Sequence, residues 1–360
     1  MHPSPSSSRA PVARPISPRP GARGTGGARV ALAALAALVA LVAALGTTGC
    51  GEGRERAAPA SESAPDAREA PATSTCDVGA VVDDLGDTSR FERAPTRIVS
   101  LNPVTTELLF ALGQADRLVG RSDWDTYPAE ASGVPALGGA IRPNVEAVLT
   151  ARPDVVVLYG SNDNRAAATQ LRRAGLAVVS LKIDRIADFA RAVDLLGRAT
   201  CEPTRARTLR DSVLATIARV RAVTAPLGKP TVVWPVGTDP LLVVGRASFQ
   251  QELLDAAGAR NAFADLDAGA PQVSAEELLA RDPDVLLVSP DSVRADVFAR
   301  SARWRALRAV REGRLLVYDT ALVLRPSVNL GAAAVSLARL LHPEAADRLP
   351  PLATRSRRAP

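Results

Sequence analysis

The sequence predicts an α/β protein with two Rossmann-like lobes of mostly parallel sheet, joined by one long helix, with a cleft between the lobes. Short apolar runs alternate with helical stretches of about ten residues in both halves of the chain, which is typical of βαβ units. A segment without internal glycine or proline separates the halves. A pattern at 144–158 returns at 274–288, which indicates that the two halves are related.

Residues 1–49 are predicted to be a signal peptide. Five arginines and no acid stand in this segment, and sixteen apolar residues follow them at 30–45. A bilayer-spanning helix needs roughly 20 such residues, so the run favours a cleaved signal over a membrane anchor. The following Gly49-Cys50 resembles the lipobox of bacterial lipoproteins, in which the cysteine is acylated. An ordinary secretory signal followed by an unrelated cysteine is the alternative.

Residues 50–75 are predicted to be a disordered tether, since they are rich in Ala, Pro, Ser and Glu and have no aromatic residue. If Cys50 carries lipid, Cys76 and Cys201 remain as an even pair in an oxidising compartment. We expect these two to form a disulfide that ties the start of the fold to the end of its first half. Two buried free thiols are the alternative.

The N-terminal lobe is predicted to span 76–201. Apolar runs indicate its strands, and capped or glycine-terminated stretches indicate its helices. The expected strands are 97–101, 117–121, 155–160 and 176–181, and the expected helices are 102–113 and 165–175.

Residues 202–225 are predicted to form the helix between the lobes. Pro203 suits a first helical turn, and apolar residues then recur at spacings of three and four. These residues are Leu209, Val213, Ile217 and Val220. At ~1.5 Å per residue the helix would be about 30 Å long, the width of a small domain. Its single apolar face indicates a rod that lies against both lobes.

The C-terminal lobe is predicted to span 226–347, and a basic tail with four arginines follows at 348–360. The same alternation of strands and helices returns in this lobe. The expected strands are 231–237, 241–245, 285–289 and 315–319, and the expected helices are 248–258 and 328–341.

The repeated pattern places one glutamate near the start of a short helix in each half. Asn144 and Ser274 are helix-capping residues, and Glu146 and Glu276 each stand two positions after them. The helix dipole alone would stabilise an acid there by ~0.3–1 kcal/mol. The alternative is functional, because two acids on pseudo-symmetric lobes could meet two basic sites on a two-fold symmetric partner.

Composition excludes several classes of function. Removing the five arginines of the first 49 residues from a net charge of +6 leaves +1 for the remainder, which argues against a nucleic-acid-binding face. The only histidines are His2 and His342, so histidine-rich metal sites and most Ser-His-Asp catalysis lack their residues. The sequence also lacks a Gly-x-Ser-x-Gly nucleophile turn and a phosphate-binding loop, and we expect no catalytic residue, metal or cofactor.

The chain resembles the periplasmic substrate-binding proteins of ABC importers for cobalamin, ferric siderophores and haem. The resemblance covers about residues 80–343. It rests on the segment 97–131, on both Glu…Pro-Asp segments, on PQVSAEE at 271–277 and on the terminal segment 325–344. It implies two α/β lobes joined by one helix, a ligand held in the cleft, and an extracytoplasmic monomer anchored by lipid. The implied partners are a permease dimer and its ATPase.

The resemblance also implies roles for single residues. Glu146 and Glu276 match glutamates that pair with arginines of the permease. The expected ligand-binding residues are Trp124, Tyr127, Tyr159 and Arg325, of which Trp124 is placed by its loop alone. Structural roles are the alternatives: the Tyr127 ring could pack on the next proline, and Arg325 could pair with Asp319.

Cobalamin is the first expected ligand and a ferric siderophore the second. The sequence departs from cobalamin-binding relatives in three places. Val236 and Ala270 stand where aromatic residues are expected, and Val328-Asn329 replace a usual Pro-Arg. Haem is less favoured, because Gly139 or Ala140 replaces the tyrosine of haem-binding members. A sensor or adhesion lipoprotein that reuses the fold is a further alternative, which neighbouring permease and ATPase genes would exclude.

Overall fold

The computed structural model describes residues 79–294, 297–300 and 302–352. The predicted signal peptide and tether, with Cys50 and Cys76, lie outside the described residues, as does the end of the predicted tail. Among the residues that are described, no helix is both long and apolar enough to cross a bilayer.

The N-terminal lobe is a four-stranded parallel sheet flanked by helices. Its elements are an antiparallel hairpin of β1 (Gly79–Val82) and β2 (Thr88–Phe91), then β3 (Ile98–Leu101), α1 (Pro103–Ala111), β4 (Leu118–Arg121), α2 (Val145–Thr150), β5 (Val155–Tyr159), α3 (Arg165–Arg173), β6 (Ala177–Leu181) and α4 (Ile186–Ala199). The strand order in the sheet is β4-β3-β5-β6. The β3 strand is buried along its whole length, as expected for a central parallel strand.

The helix between the lobes is α5 (Pro203–Thr224), and it begins and ends close to the predicted bounds. Val213, Ile217 and Val220 on its apolar face are buried, and Leu209 is partly buried against the same core. α5 packs on α4 of the first lobe and on the last long helix of the second. The predicted rod is therefore present and is integrated with both lobes.

The C-terminal lobe repeats this architecture. Its elements are β7 (Thr231–Val233), β8 (Pro235–Thr238), β9 (Leu241–Val243), α6 (Phe249–Ala256), β10 (Arg260–Asn261), α7 (Ala275–Arg281), β11 (Val285–Val288), the short helices α8 (Pro290–Arg294), α9 (Val297–Arg300), α10 (Ala302–Arg305) and α11 (Arg308–Arg311), then β12 (Leu315–Val317), α12 (Thr320–Val323) and α13 (Leu330–Leu341). The parallel sheet has the order β10-β7-β11-β12, and β8 and β9 form an antiparallel hairpin.

The two parallel sheets share one topology. In each lobe the first strand lies between the second and the third, and the fourth lies beside the third. α2 and α7 therefore hold equivalent places before the third strand, which confirms the two-lobed parallel fold and explains the repeated sequence pattern.

Most of the predicted elements begin and end within two residues of the observed bounds, and two differences are of another kind. The expected strand 231–237 is two strands, because the buried Trp234 separates β7 from β8, and β8 begins at Pro235, a residue that cannot donate to a ladder. The expected end of the second lobe at 347 falls inside a short 3-10 helix, Pro343–Arg348. Leu349 just beyond it is buried in the main core.

The Pro-Asp of each repeat has a structural role. Asp154 accepts hydrogen bonds from the Thr96 backbone N–H at 2.7 Å and from its hydroxyl at 2.8 Å. Asp284 accepts a bond from the Thr231 backbone N–H at 2.7 Å. In both lobes the aspartate before the third strand thus forms a hydrogen bond to the backbone at the start of the first strand.

Candidate functional site

A cleft of about 460 Å³ lies between the lobes, at the carboxyl ends of their parallel strands. Asn102 and Pro103 enter it directly after β3, and Tyr159 enters it from the end of β5. The first and third strands flank the point where the strand order reverses, which is where open α/β sheets bind ligands. The second lobe contributes residues after β9 and after α12, so both lobes form the walls.

The floor of the cleft is apolar and buried, whereas its rim is apolar and exposed. Val104, Ile183, Val244 and Phe249 form the floor. At the rim, the Trp124 side chain remains 54% exposed and Leu324 58% exposed. Exposed apolar side chains around a concave, mostly apolar cavity are typical of a ligand site.

The structure places three of the four predicted ligand-binding residues in the cleft lining. Trp124, Tyr159 and Arg325 all line it. Tyr127 is half-buried in the same loop as Trp124, but it is not among the residues that line the cavity. Its predicted contact with a ligand therefore has no support from the cavity geometry.

Tyr159 lines the cleft, and its hydroxyl already forms a hydrogen bond. The hydroxyl donates to Asp184 Oδ1 at 2.7 Å. Burial and the bond to this carboxylate raise the pKa of Tyr159 far above its usual value, so the phenol stays protonated. The ring is thus available for stacking, and the oxygen is committed to Asp184.

Arg325 pairs with a residue that the sequence analysis missed. Its Nη1 lies 3.2 Å from Oε1 of Glu107 on α1, and its Nη2 donates to the backbone oxygen of Trp124 at 3.4 Å. The suggested alternative partner Asp319 instead caps α12 by accepting a bond from the Ala321 N–H. Arg325 therefore reaches from the second lobe to the first.

Glu107 and Asp125 are two buried acids beneath this part of the cleft. Burial is the main cause that raises the pKa of each carboxyl above its usual value. Asp125 accepts hydrogen bonds from the hydroxyls of Thr106 and Ser122. Hydrogen bonds and the Arg325 charge oppose the shift without cancelling it.

One sequence signal could have identified Glu107. It interrupts the apolar helix that follows the first parallel strand, and it lies between Thr106 and Leu108, which are both buried. An acid at a buried helix position is rare unless it is paired. The partner, however, lies 218 residues away, so the sequence alone could not name it.

The repeated glutamates lie outside the cleft, on exposed first turns of α2 and α7. Glu146 and Glu276 are both exposed, and neither lines the cavity. The capping hydrogen bonds come from other side chains, namely Asn144 in the first lobe and the reciprocal pair of Ser274 and Glu277 in the second. Side-chain capping therefore does not account for either glutamate, and their contacts with a partner remain a prediction.

The remaining predicted sites divide between described and undescribed residues. Cys201 is disulfide-bonded, while both other cysteines lie outside the described residues, so the pairing stays a prediction. Among the described residues, no cluster of His, Cys, Asp or Glu could hold a metal ion.

The comparisons with known proteins agree with this geometry. A family model described as "Periplasmic binding protein" matches residues 98–322. The chain is 29% identical over 260 residues to an uncharacterized ABC transporter substrate-binding lipoprotein of Bacillus subtilis, which covers 70% of this chain and 82% of that protein. It is 32% identical over 199 residues to the vitamin B12-binding protein of Salmonella typhimurium, covering 54% of this chain and 73% of that protein.

A solved structure has the same fold. The periplasmic heme-binding protein RhuT from a Roseiflexus species, in its apo form, superposes with a TM-score of 0.62 at 27% identity. The match covers 71% of this chain and 99% of that one. The similarity therefore extends over nearly the whole of a two-lobed binding protein.

Proposed function

This chain belongs to the periplasmic binding protein family, and from that premise we propose that it captures cobalamin in its cleft and delivers it to a membrane permease. At the coarser level it is an extracytoplasmic substrate-binding protein of an ABC transporter, which works with a permease and an ATPase. The lipid anchor at Cys50 belongs to the proposal and is supported by the lipobox-like Gly49-Cys50.

The chemistry of the cleft lining carries the proposal. Of the described residues that line it, only Asp184 and Arg325 are charged, and each is engaged by a neighbour, Tyr159 in one case and Glu107 in the other. A large, mostly apolar ligand with uncharged polar groups at its edge fits such a lining. Cobalamin has this character, since carboxamides surround its macrocycle, and it is the ligand named for a relative that is 32% identical.

A ferric siderophore is the second candidate, and two small residues favour it. Val236 and Ala270 line the cleft at positions where aromatic walls are expected for a flat corrin ring. A more globular chelate depends less on stacking between such walls. A ferric hydroxamate, which is uncharged, would suit the lining better than an anionic catecholate complex.

Haem is disfavoured by the donor groups of the cleft. Haem iron needs an axial ligand such as a histidine, cysteine, methionine or tyrosine side chain. Among the described lining residues Tyr159 is the only one of these, and its hydroxyl donates to Asp184. The name of the heme-binding structural neighbour therefore does not transfer to this cleft.

Titration of the purified mature protein tests the ligand. Cyanocobalamin, a ferric trihydroxamate, a ferric tris-catecholate and hemin are added separately while tryptophan fluorescence is followed, with Trp124 as the reporter at the rim. We expect saturable binding of cyanocobalamin with a Kd of about micromolar or below. Saturable binding of a chelate without binding of cyanocobalamin would transfer the proposal to that chelate.

A further inference from the structure

In the ion pair of Arg325 and Glu107, the acid is buried and the arginine is accessible from the cleft. Glu107 is 3% exposed and is not among the residues that line the cleft, whereas Arg325 lines it and its side chain is 18% exposed. The two groups lie 3.2 Å apart, across the lobes. A ligand in the cleft therefore meets the donor groups of the arginine and not the carboxylate that balances its charge.

This pairing changes what Arg325 can recognise. A guanidinium has five N–H donors, and Arg325 uses two of its nitrogens to donate to Glu107 and to the Trp124 backbone oxygen. The remaining donors can still bind a carbonyl oxygen. Because the ionised Glu107 carboxylate offsets the positive charge from 3.2 Å away, the arginine attracts an anion less than an unpaired guanidinium would.

We propose that Glu107 is a specificity-determining residue of this cleft, because it neutralises Arg325 and so selects uncharged, carbonyl-bearing ligands over anionic ones. The inference rests on the proposed function only in taking the cleft as the ligand site. It does not depend on whether the ligand is cobalamin or an iron chelate.

Fluorescence quenching measures the charge of the cleft without any ligand. Trp124 is 54% exposed at the rim, whereas Trp234 and Trp304 are 1% and 4% exposed, so iodide, an anionic quencher, reports mainly on Trp124. In Glu107→Gln the Arg325 charge loses its nearest carboxylate, while Asp125 acts on it as in the wild type, so iodide should concentrate beside Trp124. We expect the iodide quenching constant to rise about two- to threefold at low ionic strength, and the effect to fade as salt is added. Quenching by neutral acrylamide should not change.

Another ion pair between the lobes provides a control. Arg185 and Glu252 lie 2.9 Å apart, and neither lines the cleft. Glu252→Gln removes the charge of this other contact between the lobes and leaves Glu107 beside Arg325, so iodide quenching should remain at the wild-type value. An equal rise in Glu252→Gln would mean that loosened lobes, and not an unbalanced charge, expose Trp124, and it would overturn the proposal.

Two further variants distinguish the loss of the Glu107 charge from a loss of stability in Glu107→Gln. Glu107→Asp retains a carboxylate near Arg325 and should keep the ratio of iodide to acrylamide quenching near that of the wild type. In the double variant Glu107→Gln with Arg325→Gln the source of the charge is gone, and the rise should disappear. A rise that persists in the double variant, or none in Glu107→Gln, contradicts the inference.

Chelates of different charge then test selectivity directly. Glu107→Gln should bind a ferric tris-catecholate, with a net charge of about −3, at least about tenfold more tightly than the wild type does. A neutral ferric trihydroxamate should change less than about threefold. Failure of the wild type to bind cyanocobalamin would count against the proposed ligand, whereas an unchanged preference between the two chelates, together with unchanged iodide quenching, would count against the role of Glu107.

Discussion

Asp154 and Asp284 hold equivalent positions in the two lobes and make the same kind of hydrogen bond. Each follows a proline, precedes the third strand of its lobe, and accepts a backbone hydrogen bond from the residues before or at the first strand. The bond from Thr231 is the main cause that lowers the pKa of Asp284, and the Arg308 guanidinium at 2.7 Å adds to the shift. The ionised form of Asp284 therefore stabilises the fold.

Asp284→Asn should lower the free energy of unfolding at pH 7 by about 1–2 kcal/mol, since a hydrogen bond to a charged group is weakened and the side chain is 27% exposed. Because the pKa of Asp284 is lower in the folded than in the unfolded protein, its stabilisation is complete above pH ~4 and is lost as the pH falls through the folded value. The difference between wild type and variant should thus vanish in acid. Urea unfolding between pH 7 and pH ~2.5 measures it.

The control for this substitution is an exposed acid elsewhere. Asp116 is exposed in the turn before β4, and Asp116→Asn should change the stability by less than about 0.5 kcal/mol. A difference between wild type and Asp284→Asn that persists at the lowest pH would show that the loss comes from packing and not from the ionised carboxylate.

At the scale of elements, the close approach of α4 and α5 determines where a glycine is required. A Cβ added at Gly197 would lie 2.2 Å from Cβ of Ala206 and 3.2 Å from the backbone oxygen of Glu202. Gly197 is a helical residue, and in an exposed helix alanine would be more stable by about 1 kcal/mol. The steric clash reverses that sign here.

Gly197→Ala should therefore destabilise the protein by about 1–3 kcal/mol, the usual cost of overpacking, as measured by urea or thermal unfolding. Adding Ala206→Gly to this variant should restore part of the loss, because it returns the space between the helices. Gly228→Ala, in the segment after α5, is a control for the added methyl group, since a Cβ there meets nothing within 4 Å. If Gly197→Ala is as stable as the wild type, α4 and α5 are not in this contact.

The elements could be predicted largely because their sequence signals are local. Asn102 and Gly113 delimit α1, Pro203 begins α5, and the repeat of Glu146 and Glu276 places α2 and α7. The break at Trp234 was missed, because an apolar run does not reveal where a strand leaves one sheet and pairs in another. The period of apolar residues shows which side of a strand or helix is buried, but it does not show which element packs or pairs with it.

The candidate site was predictable only in part for the same reason. Tyr159 and Arg325 were placed in the cleft by resemblance, and both line it. The neutralising Glu107 and the Asp184 that engages the tyrosine became visible only in the folded chain, because their partners lie on other elements. What the cleft selects depends on such pairs, so the fold follows from the sequence more directly than the specificity does.

On the scale of the whole molecule, the lobes are joined by more than α5. One apolar core contains residues of both lobes and of the connecting helix. Within the described part of the chain, ion pairs of opposite polarity also bridge the lobes, since Arg325 of the second lobe meets Glu107 of the first, and Arg185 of the first meets Glu252 of the second. A molecule joined in this way should present its outer surface, including the first turns of α2 and α7, in a nearly constant arrangement.

From that arrangement we predict that the two outer glutamates, Glu146 and Glu276, couple the binding protein to its permease. The double variant Glu146→Ala with Glu276→Ala should retain the wild-type Kd for ligand, because neither residue lines the cleft, and should fold, because other side chains cap both helices. Exposed ion pairs with permease arginines are worth only ~0–1 kcal/mol each, so the glutamates should set the register of docking more than its strength. We expect uptake of the bound ligand to fall at least about tenfold in cells that depend on this protein. A double variant of two other exposed acids, Glu130→Ala with Glu312→Ala, removes the same charge and should leave uptake unchanged. Equal losses of uptake in both double variants would show that only the net charge matters. Normal uptake in the variant that lacks Glu146 and Glu276 would exclude these two residues from coupling.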